Sequence, residues 1–178
     1  MASLMIGRNP LSATGYCGRG FLDDLPEPVP SDVQDHWVAT YDYGDGFRVQ
    51  FRCKRFPHFA APGHAAIHTK IFGTRGNLSA DYSGEVVIRG DEPFNGDRFM
   101  GEKIRGIYHR GITENWKIFH QLVTSGDFSQ ATVAPSVQSQ YLALLTRDAC
   151  EKGGPSVSWD AAVNNPKSLE FDTTGLRA

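Results

Sequence analysis

Between His36 and Lys54 the chain alternates strictly, residue by residue, apart from one break at Gly44-Asp45-Gly46. Trp37, Ala39, Tyr41 and Tyr43 interleave with His36, Val38, Thr40 and Asp42; after the break, Phe47, Val49, Phe51 and Cys53 interleave with Arg48, Gln50, Arg52 and Lys54. Successive side chains leave a strand on opposite faces, so a period of two means strand in both runs. The short glycine-flanked connection supplies the positive φ that a bulged hairpin turn demands. The region predicts an antiparallel hairpin with one apolar face and one polar, partly basic face.

The same signals place an early strand at residues 13–19 and further strands at 65–72, 78–83 and 85–89, punctuated by Gly73-Thr-Arg-Gly76 and Ser83-Gly84. A sheet of about five or six strands follows, a common size. Residues 22–31 carry Pro26, Pro28 and Pro30 among acids, which excludes helix and central strand and predicts an extended surface loop.

The period then changes. Trp116, Phe119, Leu122 and Val123 recur at helical spacing, with Thr113 as a start cap and Gly126 as the stop. A second helix is expected over residues 133–151, with Val137, Tyr141, Leu144 and Leu145 on one stripe and Gly153-Gly154 ending it. Strands followed by helices argue for an α+β fold: an open, largely antiparallel sheet with the two helices packed on one face, rather than an alternating, doubly wound one.

A length of 178 residues fits one domain with its own core, and 40% hydrophobic with 21% charged residues is ordinary for a folded chain. A net charge of −2 and a pI of about 6.3 offer no attraction to nucleic acid or anionic lipid. Apolar runs fall well short of the roughly 20 residues of a membrane-spanning helix. The start lacks the cationic region of a secretion signal, so a cytoplasmic location is expected. Cys17, Cys53 and Cys150 are odd in number and scattered, which argues against a disulfide framework or a zinc site and for buried free thiols.

Several tempting motifs fail on context. Gly15-Tyr-Cys-Gly18-Arg-Gly20 has the wrong spacing for a dinucleotide loop and precedes a proline-rich stretch instead of a helix that could hold a pyrophosphate. His64 and His68 would share a strand face about 13 Å apart, too far for one metal ion. No G-x-S-x-G nucleophile turn occurs. The stripe Arg48, Gln50, Arg52 and Lys54, with His68 and Lys70 as an extension on a neighbouring strand, is the most informative polar surface. It reads as a solvated sheet face, a subunit interface, or a contact for hydroxyl-rich or anionic ligands. Arg19, Arg52, Lys54 and His68 are the candidate substrate-binding or interface residues; no catalytic, cofactor-binding or metal-binding residue stands out.

Five ordered segments carry a family likeness. Ile71-Phe-Gly-Thr-Arg-Gly-Asn-Leu78 resembles the glycine turn in the C-terminal domain of the glucose-fructose oxidoreductase, inositol dehydrogenase and MocA (Gfo/Idh/MocA) family. Leu4-Met-Ile-Gly-Arg-Asn-Pro-Leu-Ser-Ala-Thr-Gly15, with Gly18-Arg19, is similar to the segment after that family's catalytic helix. The hairpin 38–51 looks like its paired strands, and Trp116-Lys-Ile-Phe-His-Gln-Leu-Val-Thr-Ser-Gly126 like the helix before its Ser-Gly stop. Arg147-Asp-Ala-Cys-Glu-Lys-Gly153 and Val157-Ser-Trp-Asp160 resemble its last helix and closing strand.

The resemblance implies a substrate-binding and oligomerisation domain of a sugar or polyol oxidoreductase that uses NAD or NADP. It implies a homo-oligomer formed through the sheet, with a sugar or polyol as ligand. The family's Rossmann half, its Glu-Lys-Pro motif and its His-x-x-Asp pair have no counterpart in these residues. The expectation is therefore a fragment, with residues 1–7 as the stub of a preceding helix, that binds no cofactor and is inactive alone. The alternative is a stand-alone assembly or carbohydrate-binding module.

Overall fold

The structure, a computed structural model, describes residues 6–20, 34–54, 68–81, 86–91, 107–127, 129 and 133–165. The fold is α+β with antiparallel strands. The chain divides into two compact units, one formed by Met1–Phe56 with Ala131–Ala178 and the other by Pro57–Gln130. Residues 1–5 of the helix stub expected over 1–7, the proline-rich loop at 22–31, His64, residues 65–67 and the Ser83-Gly84 turn lie outside the described residues.

In the first unit, β1 (Ser12–Gly18), β2 (His36–Asp42), β3 (Arg48–Lys54) and β7 (Val157–Ser158) form one sheet in the order β3-β2-β1-β7. The predicted hairpin is present in the expected register, with Trp37 opposite Cys53 and Tyr41 opposite Val49. Its turn is tighter than glycine content alone implied. Asp45 itself takes φ 53°, between Gly44 at 82° and Gly46 at 75°, and Phe47 N–H donates to Gly44 C=O at 2.8 Å. Asp45 and Gly46 are the two central residues of that hydrogen-bonded turn, and positive φ at both matches the right-handed twist of the strands they join.

The helix α2 (Val133–Lys152) lies on β1 and β2 and closes one face of that sheet. Ala13, Ala39, Tyr41 and Tyr43 from the strands meet Leu145, Ala149 and Cys150 from the helix, with Val157 and Ala162 completing the core. The buried stripe of α2 differs from expectation: it runs through Leu145, Thr146, Ala149 and Cys150, while Val137 is exposed. Small residues win here because the helix comes close to the sheet. A Cβ on Gly15 would stand 2.6 Å from Cys150 Sγ. After Gly153, β7 pairs with Ser12 and Ala13, and the short helix α3 (Trp159–Val163) is capped by Ser158, whose Oγ accepts from Ala161 N–H at 3.2 Å. Trp159, read as part of a closing strand, instead begins this helix and packs edge-on against Tyr141.

In the second unit, β4 (His68–Gly73), β5 (Gly76–Asp81) and β6 (Val86–Gly90) form a separate antiparallel sheet joined at one end by the two-residue turn Thr74-Arg75. The described strands are thus shared between a four-stranded and a three-stranded sheet, where the sequence had predicted one sheet of five or six. The alternation pattern identifies strands but carries no information on which of them share a sheet.

Whereas α2 packs on β1 and β2, the helix α1 (Ile107–Ser125) belongs to this second unit. It begins six residues before Thr113, whose hydroxyl donates back to His109 C=O at 2.8 Å inside the helix instead of capping it. The helix runs through Gly111, since helix interiors tolerate a single glycine at a cost of about 1 kcal/mol. The stop is as expected: Gly126 at φ 66°, with Gly126 N–H bonded to Val123 C=O and Asp127 N–H to Leu122 C=O. No helix among the described residues is long and apolar enough to cross a membrane.

Candidate functional site

Register decides which side chains share the face of the four-stranded sheet opposite α2. Directly paired residues of antiparallel strands lie on the same face. The rows are therefore Ser12–Asp42–Arg48, Thr14–Thr40–Gln50, Tyr16–Val38–Arg52 and Gly18–His36–Lys54. Hydroxyls, an amide and cations dominate this face, while Trp37, Ala39 and Tyr41 point to the other side with the core.

The two ends of the face differ. At the turn end, Arg48 Nη1 lies 2.6 Å from Asp42 Oδ1, and the same oxygen accepts from Gly44 N–H at 2.7 Å. Arg48 is thus committed to holding the hairpin. At the other end Arg52 is exposed and has no hydrogen bond or ion pair among the described residues. Lys54 stands across from His36, and Arg19 follows directly on Gly18.

His36 is the most organised polar group on this face. Its Nδ1 is 2.6 Å from Oδ1 of Asp35, whose side chain is fully buried and whose backbone N–H donates to Gly18 C=O at 2.9 Å. The Asp35 carboxylate thus engages Nδ1 and leaves Nε2 without a partner among the described residues. The ring lies over Gly18, where a Cβ would come within 2.4 Å of Cε1; the glycine is what makes room for it. The imidazole still leaves 43% of its side chain accessible. Carboxylate behind and glycine beneath together hold one orientation.

The candidates named from sequence are thus partly gathered. Arg52, Lys54 and Arg19 belong to one end of the first sheet, whereas His68 is on β4 in the other sheet, paired across from Asp81. The Asp35–His36 pair was missed, although Gly18 inside a strand pattern was a usable signal, since such a glycine marks close approach of another group.

The thiols also separate. Cys150 is buried, Cys17 is half-buried and Cys53 is exposed, so burial holds for two of the three at most in part. Burial pushes the Cys150 thiol up, with Cys17 nearby adding to it, and the Cys17 thiol is likewise raised by burial. Both remain protonated and poorly nucleophilic near neutral pH. No group of three or more His, Cys, Asp or Glu suited to a metal ion occurs among the described residues.

The glycine run at 15–20 does not fit a nicotinamide dinucleotide. Gly15 lies within β1 against Cys150, and Gly18 is covered by the His36 ring, so neither presents free backbone to a pyrophosphate. Neither a scan against models of protein families nor a search of curated proteins finds a match for this chain. The chemistry of the site rests on its geometry.

Proposed function

We propose that this chain is the substrate-binding and oligomerisation domain of a cytoplasmic sugar or polyol oxidoreductase, one that depends on NAD or NADP held outside these residues and is not active alone. The observation that carries the reading is the two-faced sheet: α2 covers β1 and β2 on one side, and the other presents Ser12, Thr14, Thr40 and Gln50 beside Arg52. Hydroxyl and amide groups on a rigid strand surface can exchange hydrogen bonds with a polyol at little ordering cost. The order of the segments that resemble the Gfo/Idh/MocA C-terminal domain also agrees with the element order. The paired strands fall on β2 and β3, the glycine turn on the β4–β5 hairpin, and the two helical segments on α1 and α2.

A second reading, a stand-alone assembly module that pairs copies through the sheet, is favoured by β3. This strand is at the edge of the sheet, and every residue of it except Val49 is exposed, Phe51 and Cys53 included. An open edge is a template for another strand.

Sedimentation velocity of the chain with and without D-glucose or myo-inositol separates the two. A monomer whose sugar affinity is lost in Gln50→Ala supports the binding wall. A dimer or tetramer dispersed by Arg52→Glu, with no response to sugar, supports the assembly module instead. NADH fluorescence is expected to show no binding, and micromolar affinity would overturn the assignment of the cofactor to another part of the enzyme.

A further inference from the structure

We infer that the Gly18–His36–Lys54 end of the open sheet face, together with Arg52, is a subsite for the carboxylate or phosphate of an acidic sugar. The inference deepens the sugar-binding reading above and rests on it. A neutral polyol needs only the hydroxyls and amide in the middle of the face; it gives no use to an oriented imidazole set among cations.

Two features of this end favour an anion: the Arg52 fork and the fixed His36 ring. Arg52 is exposed and has no protein partner among the described residues, so its five-donor fork is available to a carboxylate or phosphate. Lys54 stands directly across from His36, and its row is one step, about 7 Å, from that of Arg52. His36 then supplies directionality. Asp35 holds Nδ1, so Nε2 is the ring nitrogen left to hydrogen-bond a bound ligand.

The buried Asp35 carboxylate distinguishes this arrangement from a solvated patch of cations. A surface histidine needs no fully buried partner, and a strand needs no glycine beneath a histidine; here both are present and both fix the same ring. Arg48, the other cation of the stripe, is excluded from the subsite because Asp42 already neutralises it at 2.6 Å.

Calorimetric titration at fixed ionic strength with D-gluconate, D-glucose 6-phosphate, myo-inositol and inorganic phosphate tests the proposal. One of the two charged sugars is expected to bind at least about tenfold more tightly than myo-inositol, with Arg52→Gln removing about that factor. Preference for gluconate identifies a carboxylate ligand, and preference for glucose 6-phosphate a phosphate ligand. His36→Gln is expected to weaken the charged sugar while leaving myo-inositol unchanged. Asp35→Asn can fail to fold, but Arg52→Gln is exposed and keeps the test decisive. Equal binding of myo-inositol and the charged sugars, unaffected by Arg52→Gln, overturns the subsite and leaves the sugar-binding wall standing. Inorganic phosphate binding as tightly as either charged sugar overturns the sugar specificity of the subsite. Absence of binding by every ligand overturns both readings.

Discussion

At the residue scale, one buried hydroxyl chain crosses between strand and helix. Thr146 Oγ1 donates to Leu142 C=O at 2.7 Å, and since a hydroxyl has one proton, the Tyr41 phenol must be the donor in its bond with Thr146. The two partners are therefore not equivalent. Tyr41→Phe leaves Thr146 with its carbonyl acceptor and should cost about 0.5–1.5 kcal/mol, whereas Thr146→Ala strands a buried phenol and should cost about 1–3 kcal/mol. Urea unfolding of the two variants checks the order; equal costs would mean that the hydroxyls are not chained. The alternation pattern had put Tyr41 on the core side, so its burial was legible. Its partner was not, because Thr146 interrupts the apolar stripe of α2 and nothing in a periodicity count gives a polar residue a place in the core.

Cys150 gives the same interface a pH dependence. Burial raises its thiol above the ordinary value of 9.0, so the unfolded chain loses this proton at lower pH than the folded one does. The contribution is fully present below that ordinary value and is lost as the pH climbs through the folded one. Stability measured from pH 7 to 11 should decline more steeply in the native chain than in Cys150→Ala, although the variant starts lower for want of packing. Parallel profiles would remove Cys150 as a cause. Tyr41 and Cys17, both also raised by burial, contribute in the same direction and persist in the variant.

At the element scale, the most instructive difference between sequence and structure is the start of α1. Thr113 looked like a cap because it precedes a helical run of apolar residues, but a cap lies outside the helix and Thr113 is inside it, bonded back to His109. Substitution tells the cases apart. Thr113→Ala at a true cap would cost about 1 kcal/mol. In an exposed helix interior, alanine instead removes a β-branched residue and should be neutral or stabilising by a few tenths of a kcal/mol. Thermal unfolding followed by circular dichroism is sufficient to read the sign. The helix end was legible where the start was not, because a glycine in left-handed geometry is a local requirement, whereas nothing local forbids the helix from extending backward through Gly111.

The sheets show the same division between local and distant information. Hairpins announce themselves through their turns, and both Gly44-Asp45-Gly46 and the Gly73–Gly76 connection formed as read. Which strand lies beside β1 is set by a partner near the other end of the chain, β7, whose two residues are too short to give a pattern. The candidate site follows suit. Arg52 and Lys54 were identifiable as one stripe on one strand, but their relation to His36 and Gly18 depends on register across three strands, and Asp35 lies just outside the alternation.

At the scale of the molecule, the first unit is assembled from two distant stretches of chain, residues before 57 and after 130, and its core belongs to neither alone. Leu145 has no solvent exposure and sits with Ala13 and Ala39, which precede it by more than a hundred residues. If strands and helix stabilise one another only through this shared core, they open together. Leu145→Ala should cost about 2–5 kcal/mol by the cavity it leaves. Native-state hydrogen exchange should then show that cost equally at amides of β1, β2 and α2, since all exchange through the same opening. Loss of protection confined to α2 would mean instead that the three-strand meander β1–β2–β3 holds its hydrogen bonds without the helix. In that case the open face bearing His36 and Arg52 would be a property of the strands themselves, and sugar binding would survive the variant; under shared opening, affinity and protection fall together as denaturant is added.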